Sequence, residues 1–174
     1  HGMAEVQADQ YIALEDIAAF EQAEAVSTGQ VIGFNPRAGY EVVASQRLLG
    51  RHAHYECWRK QELPARWQYG QHPRVPAIVC QMDEGWNALP AQQLQSHKAE
   101  LNRGSHGYDP SLVSMRATFI ATGPSFRAGS TLPAFDNVDV YPLLAHLLDI
   151  APAPNDGKLD TFTPVLKPIP KPPH

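Results

Sequence analysis

Apolar and polar residues follow different periods along the first half of the chain, and these periods predict strands and helices. The short apolar run from Gln30 to Asn35 has the length of a strand, and so does the segment RVPAIVCQM at 74–82. Between them, a repeat at three- and four-residue steps predicts an amphipathic helix that ends at Gly50. The positions that mark its face are Val42, Val43, Gln46 and Leu49.

The second half contains the most regular pattern, a continuous apolar run followed by a helical one. Leu112 to Thr122 is interpreted as a buried strand, covered on both faces and ended by Gly123 and Pro124. The next segment predicts a helix with Asp139 as its cap and Pro142 in its first turn. A strand that leads into a helix is typical of layered α/β folds. The positions expected to be buried are Met115, Ala117, Phe119 and Ala121 in the strand and Leu143, Leu144, Leu147 and Leu148 in the helix.

The length and the chain breakers indicate how the chain is organised. Its 174 residues are enough for one domain with a core, and we assign 1–166 to a single domain. Pro64 and Gly70 interrupt an aromatic segment, which suggests that 36–95 form a small α/β insertion or flap within that domain. The proline-rich residues 167–174 are predicted to be an extended tail.

Composition and charge exclude some classes of partner. The chain is 43% hydrophobic and 18% charged, as in ordinary globular domains, and its formal net charge of −4 gives no reason to expect a nucleic-acid polymer as a partner. No apolar stretch approaches the roughly 20 residues that span a bilayer, so we expect no membrane insertion. A signal peptide is not visible in this segment, and an exported protein would already have lost it.

The two cysteines, Cys57 and Cys80, are too far apart in sequence to suggest a zinc ribbon or a redox pair. Both lie among apolar residues, which favours two buried thiols. A disulfide is the alternative, and it would require an oxidising compartment and strands that face each other.

Two of the eight histidines are followed by glycine, and they differ in this from the rest. His1 and His106 are each predicted to project from a turn in which glycine lets the backbone approach closely. Metal ligands at the end of a sheet are presented in this way. His52 and His54 alternate at the end of the predicted helix and could ligate a metal only if they lay on a strand. His146 is interpreted as a surface or capping group. From the residues alone, metal binding by His1 and His106 stays open, because two histidines do not complete a zinc site.

Four stretches of the chain resemble the nucleotide pyrophosphatase/phosphodiesterases of the alkaline phosphatase superfamily. The opening HGMA is similar to the tail of that family's Ser-Asp-His-Gly-Met turn, and HGYDP at 106–110 resembles its His-Gly-Tyr-Asp-Asn turn, with SMRATFIATGPSFRAG following. FDNVDVYPLLAHLLDIAPAPNDG, at 135–157, resembles the family's helix and its closing motif, which is very specific. ELPARWQYGQHPRVPAIVCQMDEGW, at 62–86, is similar to its insertion region. The resemblance covers nearly the whole chain.

The resemblance implies the C-terminal half of an alkaline-phosphatase-like α/β fold, a layered sheet with helices on both faces, and a site with two zinc ions. His1 would bind one zinc and His106 the other. The family's nucleophilic threonine and its other ligands would belong to an N-terminal half that precedes this segment, so we assign no catalytic residue here. Pro110 stands where the family has asparagine, which leaves the ligand in place but changes the surroundings of the turn.

The function implied is hydrolysis of phosphodiester or pyrophosphate bonds of nucleotides, which releases a nucleoside monophosphate. The alternatives are a phosphodiesterase for a choline or glycerol headgroup, a phosphonate hydrolase of the same superfamily, and a non-catalytic relative that acts as a binding module. The expected partners are a small nucleotide or phosphodiester and the missing N-terminal half. We expect a periplasmic or secreted protein, and we expect this segment alone to be inactive.

Overall fold

The computed structural model describes residues 2–96 and 103–168. His1, His97 and His174 therefore lie outside the described residues. The chain divides into two compact units, residues 1–118 and residues 119–174, and each is described by itself. Among the described residues, no helix is long and apolar enough to cross a membrane.

The described part of the first unit contains nine strands, most of them short. Five form an antiparallel sheet, and the other four pair off as two separate ladders. In chain order they are β1 (Ala4–Glu5), β2 (Tyr11–Ala13), β3 (Ala23–Ala25), β4 (Val31–Pro36), β5 (Gly50–Arg51), β6 (Tyr55–Arg59), β7 (Ile78–Met82), β8 (Asn87–Leu89) and β9 (Gly104–Ser105).

The five-stranded sheet has the order β3-β4-β7-β6-β5, with β7 at its centre. Side chains of β7 are buried on both faces: Ile78, Cys80 and Met82 enter the main core, whereas Val79 packs into a smaller cluster with Leu63. Because both faces are covered there, the first three residues of β7, 78–80, are all apolar rather than alternating. This confirms the two strands predicted within 30–35 and within 74–82. Residues 36–95 contribute three of the five strands, and their assignment as an insertion stays a prediction.

The first unit has the helices α1 (Leu14–Ile17), α2 (Glu41–Leu48) and α3 (Ala91–Ser96). Helix α2 packs against the five-stranded sheet at β4, whereas α1 and α3 pack against β2. Helix α2 is the helix that the spacing predicts, but the face we predicted for it is wrong. Ala44 and Leu48, four residues apart, are the buried pair, whereas Val42 and Val43 are 68% and 46% exposed. The guanidinium of Arg47 donates to the carbonyl of Ile17 and thereby fixes which side of α2 faces the core.

The two cysteines are joined in a disulfide, which replaces our interpretation of two buried thiols. Cys57 on β6 and Cys80 on β7 lie directly opposite each other in the antiparallel ladder. Both side chains are buried in the main core. The bond therefore links the central strand of the sheet to its neighbour from within the core.

The strand predicted at Leu112–Thr122 is wrong. Residues Val113–Met115 form a 3₁₀ helix, and the backbone from 116 to 122 has no regular structure. Met115 is partly buried against the main core, whereas Ala117, Phe119 and Ala121 are exposed. An apolar run becomes a strand only where another strand pairs with it, and the described residues offer this run no partner.

In the second unit, α4 (Val140–Leu147) is the helix that the spacing predicts, with Pro142 in its first turn. It packs on the 3₁₀ helix Leu159–Val165, and Leu143 and Phe162 are its most buried contacts. Leu147 is half-buried, but Leu144 and Leu148 are 51% and 67% exposed, so the predicted apolar face is only partly correct.

Asp139 occupies the N-cap position of α4, as predicted, but its carboxylate makes no hydrogen bond to the helix. It accepts instead from the backbone N–H of Lys158 at 2.8 Å and from the hydroxyl of Thr161 at 2.6 Å. Since Asp139 is buried, these two donors compensate the loss of its hydration. The side chain fastens the start of α4 to the segment that follows it.

We expect loss of the Cys57–Cys80 bond to destabilise the protein without unfolding it at room temperature. The bond closes a loop with a sequence separation of 23, for which the chain-entropy estimate is about 3 kcal/mol. Urea unfolding of the Cys57→Ala/Cys80→Ala variant should show a loss of that order. Thiol titration of the denatured, unreduced wild-type protein should find neither cysteine free, and two titratable thiols would contradict the disulfide.

Candidate metal-binding site

A short antiparallel ladder brings the two ends of the first unit together. β1 pairs with β9, with Ala4 opposite Ser105 and Glu5 opposite Gly104. The residue before β1 is Met3 and the residue after β9 is His106, so both leave the ladder at the same end. The turn that contains His106 and the segment Gly2–Met3 are therefore neighbours, although about a hundred residues separate them in sequence.

Gly2 allows this arrangement because its backbone touches the segment that follows the second turn. A Cβ atom on Gly2 would overlap the carbonyl oxygen of Ser114 and would lie 2.9 Å from that of Arg116. Gly107 is needed for a different reason, since its φ of 92° is one that residues with a side chain rarely adopt, and no atom lies within 4 Å of where its Cβ would be. Close approach therefore explains the glycine after His1, and backbone conformation explains the glycine after His106.

Tyr108 anchors the second turn to the core. Its side chain is buried, and its hydroxyl donates to the carbonyl of Trp86 at 3.1 Å, with the side-chain oxygen of Asn87 at 3.4 Å. Burial raises the pKa of the Tyr108 hydroxyl, so the group stays protonated and remains a donor. The side-chain amide of Gln30 donates to the buried hydroxyl of Ser105, the last residue of β9.

Asp109 ties the same turn to a distant loop. Its carboxylate accepts from the guanidinium of Arg66, which lies on the 3₁₀ helix Ala65–Trp67, and from the backbone N–H of Ser111 at 2.9 Å. Burial of Asp109 opposes its ionisation, but Ser111, the charge of Arg66 and the nearby indole of Trp67 outweigh burial and lower the pKa of Asp109.

His106 itself is exposed at the tip of this anchored turn. An imidazole held in a fixed turn and open to solvent suits zinc, which accepts nitrogen donors. Within residues 2–96 and 103–168, no three histidine, cysteine, aspartate or glutamate side chains are grouped so that they could hold a metal ion. His1 lies outside the described residues, so its predicted approach to His106 and the assignment of both as ligands stay predictions.

The remaining histidines near the sheet have structural contacts. A ring nitrogen of His52 lies 2.8 Å from the carbonyl of Leu48, and its ring stacks on Tyr55. The ring of His54 stacks on Trp86 with centroids 3.5 Å apart. These contacts give both residues a structural role.

Sequence reasoning missed the residues that hold the turn in place. Gln30, Arg66 and Trp86 come from three separate segments, and none of them stands out by periodicity or spacing. Tyr108 and Asp109 belong to the HGYDP motif, and a tyrosine beside a charged residue in a glycine turn is the one available signal. This signal indicates that the turn packs against another segment of the protein, but it does not identify that segment.

A family model described as Type I phosphodiesterase / nucleotide pyrophosphatase matches residues 1–109, which include the ladder and the start of the anchored turn. The chain belongs to this family. Human ectonucleotide pyrophosphatase/phosphodiesterase family member 5 is 31% identical over 157 residues, which is 90% of this chain and 32% of that protein. The bovine bis(5'-adenosyl)-triphosphatase ENPP4 is also 31% identical over 157 residues, with 33% of its length covered.

Solved structures of relatives have the same fold. Murine ectonucleotide pyrophosphatase/phosphodiesterase 5, as an inactive variant in complex with AMP, matches 96% of this chain and 43% of its own, with a TM-score of 0.86 and 31% identity. This match confirms the predicted α/β fold of the alkaline-phosphatase-like type. The chain spans about a third of the length of the human and bovine relatives.

Substitution of the two glycines should have unequal effects. Gly2→Ala places a methyl group against the backbone of Ser114 and should displace the segment before β1, with a loss of stability of more than about 2 kcal/mol. Gly107→Ala adds a Cβ that meets no atom within 4 Å and should cost roughly 1–2 kcal/mol for its backbone conformation alone. Urea denaturation of both variants measures the difference. Equal losses would mean that Gly2 does not contact the Ser114 backbone.

The stability that Asp109 contributes should depend on pH. Because its pKa is lowered in the folded state, this contribution is fully present above the ordinary aspartate pKa of about 4 and is lost as the pH falls through the lowered value. The free energy of unfolding of the wild type should therefore decrease more steeply below pH 4 than that of Asp109→Asn. Denaturation curves at a series of acidic pH values test this, and parallel decreases would contradict it.

Proposed function

We propose that the protein containing this chain is a hydrolase that cleaves phosphodiester or pyrophosphate bonds of nucleotides at a site with two zinc ions, releasing a nucleoside monophosphate. His106 would hold one ion and His1 the other. The observation that carries this proposal is the β1–β9 ladder, because it puts the segment after His1 and the turn of His106 at the same end. A substrate phosphate between two such histidines would be within reach of both ions.

The chemistry suits these residue types. When bound, two zinc ions would stabilise the attacking and the leaving oxygen of an in-line displacement at phosphorus. The residues of this chain would hold and orient the histidines that bind the ions. Gly2 keeps the first segment against the second, Tyr108 fixes the turn in the core, and His106 presents its imidazole at the surface. The nucleophile and the remaining ligands would come from residues upstream of this chain.

The names of two relatives support a nucleotide substrate. The murine member 5 structure is a complex with AMP, and the bovine relative is a bis(5'-adenosyl)-triphosphatase. AMP is a nucleoside monophosphate, the kind of product that the proposed reaction releases. A diester with another headgroup serves as the competing substrate when turnover is assayed.

We also propose that the protein works in the periplasm or outside the cell. The disulfide between Cys57 and Cys80 supports this, since such bonds persist in oxidising compartments and are rare where thiol reductants are abundant. Fractionation of the native host, with antibody detection of the protein, would locate it. Recovery in the reducing cytosol alone would contradict the proposal.

Replacing His106 should impair the full-length enzyme strongly. His106→Ala removes one imidazole ligand and should lower turnover of a p-nitrophenyl nucleotide by roughly a hundredfold or more, with added zinc restoring only part of it. A chelator should abolish wild-type activity, and zinc should restore it. The 174-residue chain alone should be inactive, since by this assignment it carries one ligand for each ion.

His72→Ala provides the matched control for this test. His72 is an exposed loop histidine whose ring accepts from the backbone N–H of Arg74, and it lies outside the anchored turn. Turnover by this variant should stay within about twofold of wild type, as for most surface substitutions. If His106→Ala kept wild-type turnover under limiting zinc, His106 would be a structural turn residue.

Faster hydrolysis of a choline or glycerol diester than of the nucleotide would contradict the nucleotide assignment and favour a diester with that headgroup as the substrate.

A further inference from the structure

We propose that Arg66 is a positioning residue for His106, which acts through Asp109. This inference rests on the proposed function, since it assigns a role at the same metal site. Arg66 donates to the carboxylate of Asp109, three residues beyond His106 in the same turn. The pair joins the turn to a loop that lies 43 residues earlier in the sequence.

The turn depends on such support because the structure on each side of it is short. β9 has two residues and pairs with two residues of β1, and the 3₁₀ helix Val113–Met115 has three. So few backbone hydrogen bonds cannot by themselves fix the direction of an exposed side chain. Tyr108 holds one side of the turn, toward Trp86, and Asp109 holds the side toward Arg66.

Arg66 is well placed to act as a fixed support. The neighbouring Trp67 packs edge-on against Trp58 of β6, with ring centroids 5.3 Å apart, and the Arg66 guanidinium lies 5.5 Å from the Trp67 ring centroid. Leu63 is buried in the same small cluster. Gly70 closes the loop so tightly that a Cβ atom there would overlap the carbonyl oxygen of Lys60.

The chain also contains an ion pair that serves as a control. Arg59 and Glu62 lie in the same region and approach to 3.3 Å, but both side chains are about half exposed, at 49% and 55%. Arg66 is 52% exposed, much like Arg59, but the Asp109 side chain that it holds is only 22% exposed. Exposed pairs contribute little, whereas a partly desolvated carboxylate depends on its partner for its position. Neither Arg59 nor Glu62 has a described contact with the turn of His106.

Groups that orient a metal ligand typically change metal affinity or activity by 10- to 100-fold when they are removed. In the full-length protein, we expect Arg66→Ala to weaken binding of zinc at the His106 site by roughly that factor. Turnover should fall to a similar extent, with KM within about threefold of wild type. Arg66→Lys should restore only part of both, because lysine keeps the charge but not the planar pair of donors.

The experiment measures zinc affinity by competition with a chromophoric chelator, and it measures kcat and KM on the p-nitrophenyl nucleotide. The variants are Arg66→Ala, Arg66→Lys, Asp109→Asn, His106→Ala and the control Arg59→Ala. The thermal midpoint of each zinc-free protein reports on folding alone. The double variant Arg66→Ala/Asp109→Asn should be no worse than either single variant if the two residues act as one unit.

Three results would decide the question. If Arg66→Ala binds zinc like Arg59→Ala while His106→Ala loses zinc, the positioning role is wrong and the proposed function stands. If the zinc loss of Arg66→Ala disappears at a temperature where the variant is fully folded, Arg66 is merely structural and the inference is also wrong. If His106→Ala itself keeps zinc affinity and turnover, the proposed function fails, and the role of Arg66 fails with it.

Discussion

Everything at the candidate site depends on one contact, the antiparallel ladder between β1 and β9. It joins residues about a hundred positions apart, so its formation restricts a long stretch of chain, and two residue pairs are too few to compensate for this. The ladder therefore requires support from its surroundings. Gln30 holds Ser105, and the small volume of Gly2 lets the first segment lie against Ser114. The site is an outcome of the whole first unit rather than of a local motif.

The five-stranded sheet provides that support, because its central strand is buried on both faces and leads toward the turn. β7 ends at Met82, and the chain then reaches Trp86, whose carbonyl accepts from Tyr108. β6 ends at Arg59, a few residues before the 3₁₀ helix that contains Arg66. The two partners of the turn, the Trp86 carbonyl and the Arg66 guanidinium, thus lie in segments that follow neighbouring strands of one sheet. Packing in the core therefore restricts the position of the turn that contains the exposed His106.

The sequence predicted the elements whose character is local and missed those that depend on a partner. β4 and β7 were predictable because apolar runs buried on both faces are continuous, and the existence of α2 followed from its period. The buried face of α2 could not be predicted, because the residue that packs in the core is the small Ala44 rather than Val43. The run Leu112–Thr122 has the composition of a strand, but strand formation requires a neighbour that composition does not reveal. The turn of His106 could be recognised from its motif, whereas its contact with Arg66 could not, because no local pattern links positions that far apart.

The disulfide has a consequence for how this part of the chain can vary. Cys57 and Cys80 close off the segment that contains the Arg66 helix, so the two ends of that segment are covalently held in register whatever lies between them. Lengthening an already closed loop adds little entropy cost. The exposed stretch from Gln71 to Arg74, which follows the tight approach at Gly70, is therefore where residues could be gained or lost without moving the site. The same covalent frame that stabilises the sheet makes this loop a tolerant position for evolutionary change.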